Sequence, residues 1–272
     1  MKKAPQAVQS VKCSLILTTY NCLAVLELCL KSIARQTRLP DEVIIGDDGS
    51  GEDTRQLIEK IKENFPVPLH HVWQQDKGYR KTTIFNKAVL KSTGEYIIQI
   101  DGDVLLDKHF VADHLSSLET KAFIRGTRAM LTKEKTVEIL NTRNINVTPF
   151  SKGVKHRNNA LRIFPLRFLG ARKERSSKSV RGSNLAFWKS DYILVNGYNN
   201  DFSEWGHDDE ELASRFINIG LVKKIVKLCA VQYHLHHRIL SNKNTPWQRE
   251  LINKIKREKI TFCENGYRQV SL

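Results

Sequence analysis

The sequence YIIQIDGD, residues 96–103, joins an apolar run to two carboxylates that are separated by one glycine. A short apolar run that ends at a turn signal is typical of a buried strand. Three runs upstream share this pattern, and the segments between the runs repeat apolar residues at helical spacing. The predicted strands are residues 14–19, 42–47, 69–73 and 96–101, and the predicted helices are residues 23–36, 52–64 and 83–91.

Strands that alternate with helices predict βαβ units, in which right-handed crossovers join parallel strands. We therefore expect an α/β fold with a mostly parallel sheet flanked by helices. Ligands of such sheets bind beyond the carboxyl ends of the strands. This chain places its first acidic motifs at those ends.

The second half of the chain is less regular. Residues 141–180 carry ten lysines or arginines, one glutamate and little periodicity, which indicates a basic insertion or a flexible loop. A strand from Ser183, a helix from about Asp208 and an apolar strand over residues 221–233 follow, and residues 246–262 are predicted to form a basic helix. The expected arrangement is a single domain with one insertion and a C-terminal helix.

Composition limits the class of protein. The 272 residues are 40% hydrophobic with a net charge of +15, so we expect a folded chain with an anionic partner, such as a nucleotide, a phosphorylated glycan, a membrane surface or a nucleic acid. Five cysteines in apolar runs without a CxxC pair predict buried thiols in a reducing compartment, and neither disulfides nor a zinc site. No apolar run is long enough to span a membrane, and the first residues lack an apolar leader. These features favour a cytoplasmic protein.

Two acidic motifs follow predicted strands. DDGS, residues 47–50, could accept hydrogen bonds from a base or a ribose, and a plain turn is the alternative. Asp101 and Asp103 can both face one divalent cation, because carboxylate oxygens are the hard ligands that Mg²⁺ and Mn²⁺ prefer. A turn that closes the strand is the alternative here as well.

The segment WGHDDEEL, residues 205–212, places four acids at the start of a predicted helix. The helix dipole favours negative charge at this end, so a capping role is the alternative to a functional one. Trp205 beside these acids could hold the apolar face of a sugar ring while the carboxylates bind its hydroxyls. Glu211 is expected to pair with Arg215 one turn further along.

Three histidines, His234, His236 and His237, follow an apolar run and could complete a metal site. The alternation of side chains in a strand predicts that His234 and His236 share a face and that His237 points away. A structural or surface role for each histidine is the alternative.

Six motifs, taken in their order along the chain, resemble those of the family 2 glycosyltransferases, in the branch with a galactosyltransferase-type carboxy-terminal motif that includes chondroitin-polymerase-like and bacterial polysaccharide enzymes. They are TTYN (18–21), DDGS (47–50), DGD (101–103), RGSN (181–184), GY (197–198) and WGHDDEEL (205–212). The resemblance spans about residues 12–240. It implies a GT-A fold, a UDP-sugar donor and a divalent Mn²⁺ or Mg²⁺ ion.

The resemblance also implies roles for particular residues. Donor contacts are expected from Thr18, Tyr20, Asp47, Asp48, Arg80, Asn86 and Asp101, metal contacts from Asp103, His234, Asp101 and His237, and acceptor contacts from Glu204, Trp205 and Asp208. Among the histidines, His234 is the better match to the family. Asp209 matches the catalytic base, next to Asp208 in the catalytic pair. The family usually has Glu-Asp here, so Asp208 is shorter by one methylene.

By this resemblance the predicted activity is inverting transfer of a hexose or N-acetylhexosamine from a UDP-sugar to a saccharide hydroxyl, in the synthesis of bacterial-type surface polysaccharide or lipopolysaccharide. Lipid-linked and phosphorylated acceptors both fit, and the basic segments predict peripheral attachment to an anionic membrane at the cytoplasmic face of the inner membrane. The domain, residues 1–240, is expected to contain a nucleotide-binding part (12–130), the basic insertion (141–180) and an acceptor part (180–240), followed by a basic helical tail (241–272).

Two other classes of protein fit some of these observations. A sugar nucleotidyltransferase shares the sheet and the carboxylate-held metal, but a glycine-rich basic phosphate loop should follow its first strand, where this chain has TTYNCLAVLE. A nucleic-acid-binding protein fits the charge of +15, but the sequence contains no known module or aromatic pattern for that task. No nucleic-acid partner is therefore expected.

Overall fold

Two β-sheets and their flanking helices make up the computed structural model, which describes residues 11–237 and 246–272. The strands are β1 (Cys13–Thr19), β2 (Glu42–Asp47), β3 (Leu69–Trp73), β4 (Tyr96–Asp101), β5 (Val104–Leu106), β6 (Ala122–Arg125), β7 (Ala129–Leu131), β8 (Val154–Lys155), β9 (Arg172–Glu174), β10 (Asn184–Trp188), β11 (Val222–Ile225) and β12 (Gln232–His234). The helices are α1 (Leu23–Ala34), α2 (Glu52–Lys62), α3 (Lys81–Lys91), α4 (Phe110–Ser117), α5 (Lys133–Thr142), α6 (Arg167–Gly170), α7 (Lys189–Leu194), α8 (Asp208–Asn218) and α9 (Pro246–Glu258).

The larger sheet has the strand order β3-β2-β1-β4-β10-β6-β11-β9. Strands β1 to β4 are parallel to one another, and Thr18 of β1 lies between Gly46 of β2 and Asp101 of β4. Strand β10 runs antiparallel to β4 and β6, and β9 runs antiparallel to β11. The predicted α/β fold is therefore confirmed, and its parallel half aligns the carboxyl ends of β1, β2 and β4.

Strand β1 shows why the parallel half of the larger sheet could be predicted from the sequence. Leu15 and Leu17 pack in one apolar cluster with Leu26 of α1, whereas Ile16 packs in another with Ile84 of α3. Successive strand residues point to opposite faces, so a strand covered by helices on both faces is apolar throughout. Burial on both sides fixes these strands in the middle of the fold.

The smaller sheet has the order β5-β12-β7-β8 and its own apolar cluster, which includes Leu105, Ala129 and Tyr233. Strand β12 runs antiparallel to β5, with His234 opposite Val104. The N–H of Leu235 donates to the carbonyl oxygen of Asp103 at 3.0 Å. This pairing brings the end of β12 beside the acidic end of β4.

The basic segment 141–180 is part of both sheets. Strand β8 pairs with β7, and β9 pairs with β11 at the edge of the larger sheet. Val154 and Ala160 are buried in the cluster under the smaller sheet. The expectation of a flexible loop is wrong, because the segment contributes one strand to each sheet. Strands of two or three residues are too short to show periodicity in the sequence. The proposed division of the chain into functional parts stays a prediction.

The apolar run 221–233 forms two strands rather than the single strand that was predicted. Between β11 and β12, Leu228 and Ala230 adopt left-handed backbone angles, with φ of 59° and 50°. These residues turn the chain from the larger sheet into the smaller one. No glycine or proline marks this turn in the sequence.

All five cysteines are free. Four of them are buried as expected, but Cys22 is exposed because it lies at the start of α1 beyond the end of β1. None of the helices in the described part of the chain is long and apolar enough to cross a membrane.

Candidate active site

The carboxyl end of β4 carries an ion pair. Lys81, the first residue of α3, donates from Nζ to Asp101 Oδ1 at 2.6 Å. Burial acts to lower the pKa of Lys81, but the negative charge of Asp101 and of nearby acids raises it well above its ordinary value. Asp101 therefore already has a cationic partner within the protein.

Asp103, His234 and His237 form a candidate metal centre, with one ligand atom from each residue lying within 4.8 Å of the others. Asp103 Oδ2 lies 3.4 Å from Nε2 of His234 and 3.1 Å from Nε2 of His237. The other oxygen, Asp103 Oδ1, is buried without a hydrogen-bond partner. A carboxylate and two imidazoles suit Mn²⁺, and the unpartnered oxygen indicates that this group fits a cation.

The orientation of His234 also suits a ligand. Its Nδ1 donates to the carbonyl oxygen of Leu235 at 2.8 Å, which leaves Nε2 with a free electron pair toward Asp103. Burial lowers the pKa of His234, so the imidazole is neutral at neutral pH, as a metal ligand must be.

His237 was expected among the metal residues from the family resemblance and lies in the candidate centre, but two other expectations differ from the structure: the strand alternation that placed His236 beside His234, and the inclusion of Asp101. The chain leaves the strand geometry after His234, so His237 rather than His236 returns to Asp103, and His236 is exposed. The backbone N–H of His236 donates to Thr136 instead. Asp101 is not part of the metal group, since its carboxylate pairs with Lys81.

The DDGS turn lies between β2 and α2 and makes hydrogen bonds with residues at the end of β3. Asp47 is buried and accepts hydrogen bonds from the N–H of Ser50 at 2.8 Å and from Nε2 of His71 at 3.0 Å. Asp48 accepts from the N–H of Arg80 at 2.8 Å and from Gln74 at 2.6 Å. Both carboxylates thus stabilise local loops. Their predicted contacts with a nucleotide stay predictions.

The remaining predicted donor residues fall into two environments. Thr18 is nearly buried at the end of β1, while Tyr20 is exposed and donates its hydroxyl to Asp76 at 2.9 Å. The guanidinium of Arg80 donates to the carbonyl oxygen of Gln75, so Arg80 folds back on its own loop.

Asn86 has no exposed surface, because helix α3 turns its amide toward the loop after α7. The amide nitrogen donates to Asn200 and to the carbonyl oxygen of Tyr198, both at 2.8 Å. The amide oxygen accepts from the hydroxyl of Tyr192 and the N–H of Tyr198. This burial argues against the predicted direct contact with a donor, and we interpret Asn86 as a structural residue.

Asp208 and Asp209 open helix α8. Asp209 accepts from the hydroxyl of Tyr198 at 2.6 Å and from the N–H of Gly182 at 2.7 Å. Burial raises the pKa of Asp208 well above its usual range, and the charge of Asp209 raises it further. Burial also raises the pKa of Asp209, while Lys81, Tyr198 and Gly182 act in the opposite direction.

The rest of this acidic helix start is structural. Glu211 and Arg215 form a buried ion pair, with Nη2 and Oε2 separated by 2.5 Å, which confirms their expected pairing. Glu210 pairs with Lys256 of α9 at 2.7 Å. Asp208 and Asp209 are therefore the two acids of this helix start that form no ion pair among the described residues.

A cavity of about 270 Å³ is lined by residues from both the end of β4 and the start of α8. Asp101 and Asp209 both line it, with Trp205 at its wall. Its lining consists of Tyr79, Lys81, Asp101, Arg128, residues 179–183, residues 205–210 and Gln248. Among the described residues, Asp103 and Glu204 do not line this cavity, although each is close in sequence to a residue that does. The distant carboxylates Asp101 and Asp209 therefore share one crevice.

Similar folds among solved structures are those of GT-A glycosyltransferases, so the chain has the GT-A fold. GalNAc-T7, solved with UDP, GalNAc and Mn²⁺, has a TM-score of 0.62 at 13% identity, covering 85% of this chain and 45% of that one. A mannosyltransferase from Pyrobaculum calidifontis, solved with GDP-Man and Mn²⁺, has a TM-score of 0.56 at 18% identity, covering 90% of this chain and 63% of that one.

Residues 14–176 match the family model described as Glycosyl transferase family 2, and residues 168–238 match the model described as N-terminal domain of galactosyltransferase. The first match covers more than half of the chain. This protein therefore belongs to glycosyl transferase family 2. The assignment favours glycosyl transfer over the two alternative classes considered from sequence.

Curated relatives are distant and longer. Validoxylamine A glucosyltransferase of Streptomyces hygroscopicus subsp. limoneus is 25% identical over 76% of this chain and 48% of its own length. Hyaluronan synthase of Pasteurella multocida is 25% identical over 80% of this chain and 24% of its own length. Chondroitin synthase of Escherichia coli is 21% identical over 81% and 34%. The chain thus spans between a quarter and a half of the length of these relatives.

Several residues of the site received no role from the sequence. Tyr198 and Gly182 lie inside the GY and RGSN motifs, which were signals of family but not of contact with Asp209. Lys81 follows the expected donor residue Arg80 directly. Arg128 lines the cavity without any motif that could have identified it.

Proposed function

We propose that this chain is a metal-dependent inverting glycosyltransferase that moves a hexose or N-acetylhexosamine from a UDP-sugar to a hydroxyl of a saccharide acceptor. The observation that carries the proposal is the shared cavity, in which Asp209 faces the same space as Trp205 and Asp101. The candidate metal centre at Asp103 begins two residues after Asp101. A base, an aromatic wall and a cation site are the parts that this reaction requires.

Asp209 acts as the general base. The hydroxyl of Tyr198 and the N–H of Gly182 hold its carboxylate in one orientation. Burial raises the pKa of Asp209, which makes the carboxylate a stronger base than an exposed aspartate. It accepts the proton of the acceptor hydroxyl while that oxygen attacks the anomeric carbon.

The displacement is a single step. The bond between the acceptor oxygen and the anomeric carbon forms, and the bond between the anomeric carbon and the diphosphate oxygen breaks, so UDP leaves with the electron pair. Attack from the face opposite the leaving group inverts the anomeric centre and gives a β-linkage from an α-linked donor. Trp205 stacks against the acceptor ring and holds the ring in one orientation, which lowers the entropic part of the activation barrier.

Asp103, His234 and His237 would hold a divalent ion, with Mn²⁺ or Mg²⁺ as the candidates. When bound, such an ion offsets the negative charge that grows on the departing diphosphate. Thr18, Tyr20, Asp47, Asp48 and Arg80 are proposed to surround the nucleoside at the ends of β1 and β2. Asp101 supports this arrangement by holding Lys81 at the cavity.

A screen of UDP release tests the proposal. The protein is incubated with a panel of UDP-sugars and simple β-glycoside acceptors, with Mn²⁺ or with EDTA. We expect one or a few UDP-sugars to give acceptor-dependent UDP release that EDTA removes, and NMR of the product to show a β-linkage. UDP release that is insensitive to EDTA overturns the metal role, and an α-linked product from an α-linked donor overturns inversion.

The biological setting is proposed to be the synthesis of bacterial-type surface polysaccharide or lipopolysaccharide at the cytoplasmic face of the inner membrane. Synthases of hyaluronan and chondroitin are among the similar proteins, and the basic segment 141–180 suits an anionic bilayer. Within it, Phe168 and Leu169 of α6 are 67% and 69% exposed. The exposed basic residues Arg172 and Lys173 follow in β9. Exposed apolar side chains flanked by positive charge favour attachment to such a surface.

Liposome flotation tests this attachment. We expect recovery with vesicles that contain phosphatidylglycerol and little recovery with neutral phosphatidylcholine vesicles. The double variant Phe168→Ser, Leu169→Ser should lose most of the recovery, whereas Leu194→Ser, which changes an exposed leucine of α7, should keep it. Equal recovery with both kinds of vesicle would remove the membrane proposal.

A further inference from the structure

Three arginines form a positively charged wall beside the cavity. Arg125 ends β6, Arg128 follows three residues later, and Arg181 precedes β10, which pairs with β6. Asn184 of β10 donates from Nδ2 to the carbonyl oxygen of Thr127 at 2.9 Å, which ties the two segments together. Arg128 and Arg181 line the cavity that also contains Asp209. We call these three residues the arginine wall.

Three of the four acids that line the cavity already have partners, and burial raises the pKa of the fourth, Asp208, well above its usual range. Asp101 pairs with Lys81, and Glu210 pairs with Lys256. Asp209 accepts two hydrogen bonds, as described above. The negative charge at this end of the sheet is therefore largely committed within the protein.

The arginine wall, in contrast, has no ion-pair partner among the residues that the structure describes. The Nε of Arg125 donates to the carbonyl oxygen of Ser179 at 3.1 Å, which is a neutral acceptor. Burial lowers the pKa of both Arg125 and Arg128, and the positive charge of Arg181 lowers each further. Arginine nonetheless stays protonated in proteins. Carboxylates act in the opposite direction, Glu174 on Arg125 and Asp101, Asp103 and Asp209 on Arg128, although none of them forms an ion pair with these arginines in the described part of the chain. An anion bound between Arg128 and Arg181 would offset the repulsion between these two like charges.

On the basis of the proposed function, we propose that Arg128 and Arg181 bind an anionic group on the acceptor saccharide, a carboxylate or a phosphate. The planar guanidinium fork matches both groups with two parallel hydrogen bonds. Arg125 is a positioning residue that holds the 179–183 segment through Ser179. The acceptor class is therefore an acidic saccharide, such as a uronic acid or sugar phosphate residue.

The position of the wall favours the acceptor over the diphosphate of the donor. Arg128 and Arg181 share the cavity with Trp205 and the base Asp209, which face the acceptor. The residues of the candidate metal centre, which would neutralise the diphosphate, do not line this cavity, although the charge of Arg128 acts on His234 and that of Asp103 acts on Arg128. An anionic group bound at the wall would lie on the same side of the site as the attacking hydroxyl.

Titration calorimetry with matched ligands tests the inference. The ligands are methyl β-glycosides in neutral, uronic acid and 6-phosphate forms, each in gluco and galacto configuration, added to the protein with UDP and Mn²⁺. We expect at least one anionic form to bind about tenfold or more tightly than its neutral counterpart, since hydrogen bonds to charged groups are worth this much. Comparison of the uronic acid with the 6-phosphate identifies which anion the wall prefers.

Variants assign the preference to the wall. Arg181→Gln and Arg128→Gln should each reduce binding of the anionic form toward that of the neutral form, while affinity for UDP and for the neutral form stays unchanged. Arg55→Gln, on the exposed surface of α2, is the matched control and should keep the preference. Arg181→Lys should retain part of it, because the charge remains and the fork is lost.

Three results overturn the inference: no anionic form binds more tightly than its neutral counterpart, the preference survives in both Gln variants, or the variants lose affinity for UDP instead. The last result would assign the wall to the diphosphate. Failure of the proposed function is distinct, because the wild-type protein would then bind no UDP with Mn²⁺ and release none from any UDP-sugar.

Discussion

The two acidic groups of the site, at the end of β4 and at the start of α8, have opposite electrostatic surroundings. Burial acts to raise the pKa of Asp103, but a hydrogen bond from His237 and the charges of His234, His237 and Lys81 bring the pKa below its usual value. Burial raises the pKa of Asp208 and Asp209, and their closeness prevents both from ionising easily.

The difference shows how one protein can use the same side chain for two tasks. An aspartate surrounded by imidazoles stays ionised and suits a cation. An aspartate in a buried acidic pair has a higher affinity for a proton, which is what a base requires.

Asp209→Asn should reduce the turnover of acceptor-dependent transfer by about 10²–10⁴-fold, which is the usual contribution of a positioned base. The amide keeps the volume of the side chain but cannot accept the hydroxyl proton. The measurement is kcat from UDP release, with UDP affinity as a second readout that should stay near the wild-type value.

Asp53→Asn is the matched control, because Asp53 is exposed in the first turn of α2. This variant should retain wild-type turnover. If Asp209→Asn keeps turnover within a few-fold of the wild type, Asp209 is not the base, and the contrast between the two acidic groups has no catalytic meaning.

Asp103→Ala and His237→Ala should each weaken the binding of UDP in the presence of Mn²⁺ by about 10- to 100-fold, since even partners of metal ligands contribute that much. His236→Ala is the matched control, because His236 lies in the same segment outside the metal group. Calorimetry with and without Mn²⁺ measures the effect. Equal losses in the His236 and His237 variants would contradict the assignment of ligands.

As the pH is lowered, the rate of transfer should begin to fall at a higher pH than it would with a base of ordinary aspartate pKa. The base works only when ionised, and the pKa of Asp209 is raised, so kcat falls about tenfold for each pH unit below that raised pKa. Lys81 acts to lower this pKa, hence Lys81→Gln should move the acidic limb of the profile to higher pH. A limb that stays in place, or moves to lower pH, would contradict the role of Lys81.

How far the sequence predicted these surroundings differs between the two halves of the chain. Strands β1, β2 and β4 are buried on both faces, and β2 and β4 end in turn residues, so local pattern identified them and placed Asp101 at the carboxyl end of its strand. The second half depends on short strands and on a turn at Leu228 and Ala230 that no glycine or proline announces. Local pattern has no access to such tertiary constraints.

The partners of the acids were the least predictable part of the site. Tyr198 and Gly182 reach Asp209 from separate loops, and His237 reaches Asp103 only because the strand ends at His234. Residue identity indicated which carboxylates matter, through motif and family resemblance. The sign of each pKa shift follows from long-range packing, which a sequence without its fold does not contain.

The smallest predicted effect concerns stability, and it separates Asp208 from the carboxylates that hold the fold together. In the unfolded chain Asp208 ionises near pH 3.9, whereas burial and the charge of Asp209 raise its pKa in the folded chain. The folded state therefore binds a proton more tightly, and ionisation of Asp208 costs stability as the pH rises above its unfolded pKa.

Asp208→Asn should raise the melting temperature by about 2 °C or more at neutral pH, which corresponds to roughly 1 kcal/mol for a chain of this size, and should have no such effect near pH 3. Asp113→Asn should lower the melting temperature instead, because it removes a carboxylate that pairs with Arg162 at 2.8 Å. If both variants lower the melting temperature at neutral pH, the pair of Asp208 and Asp209 stabilises the fold, which contradicts this prediction.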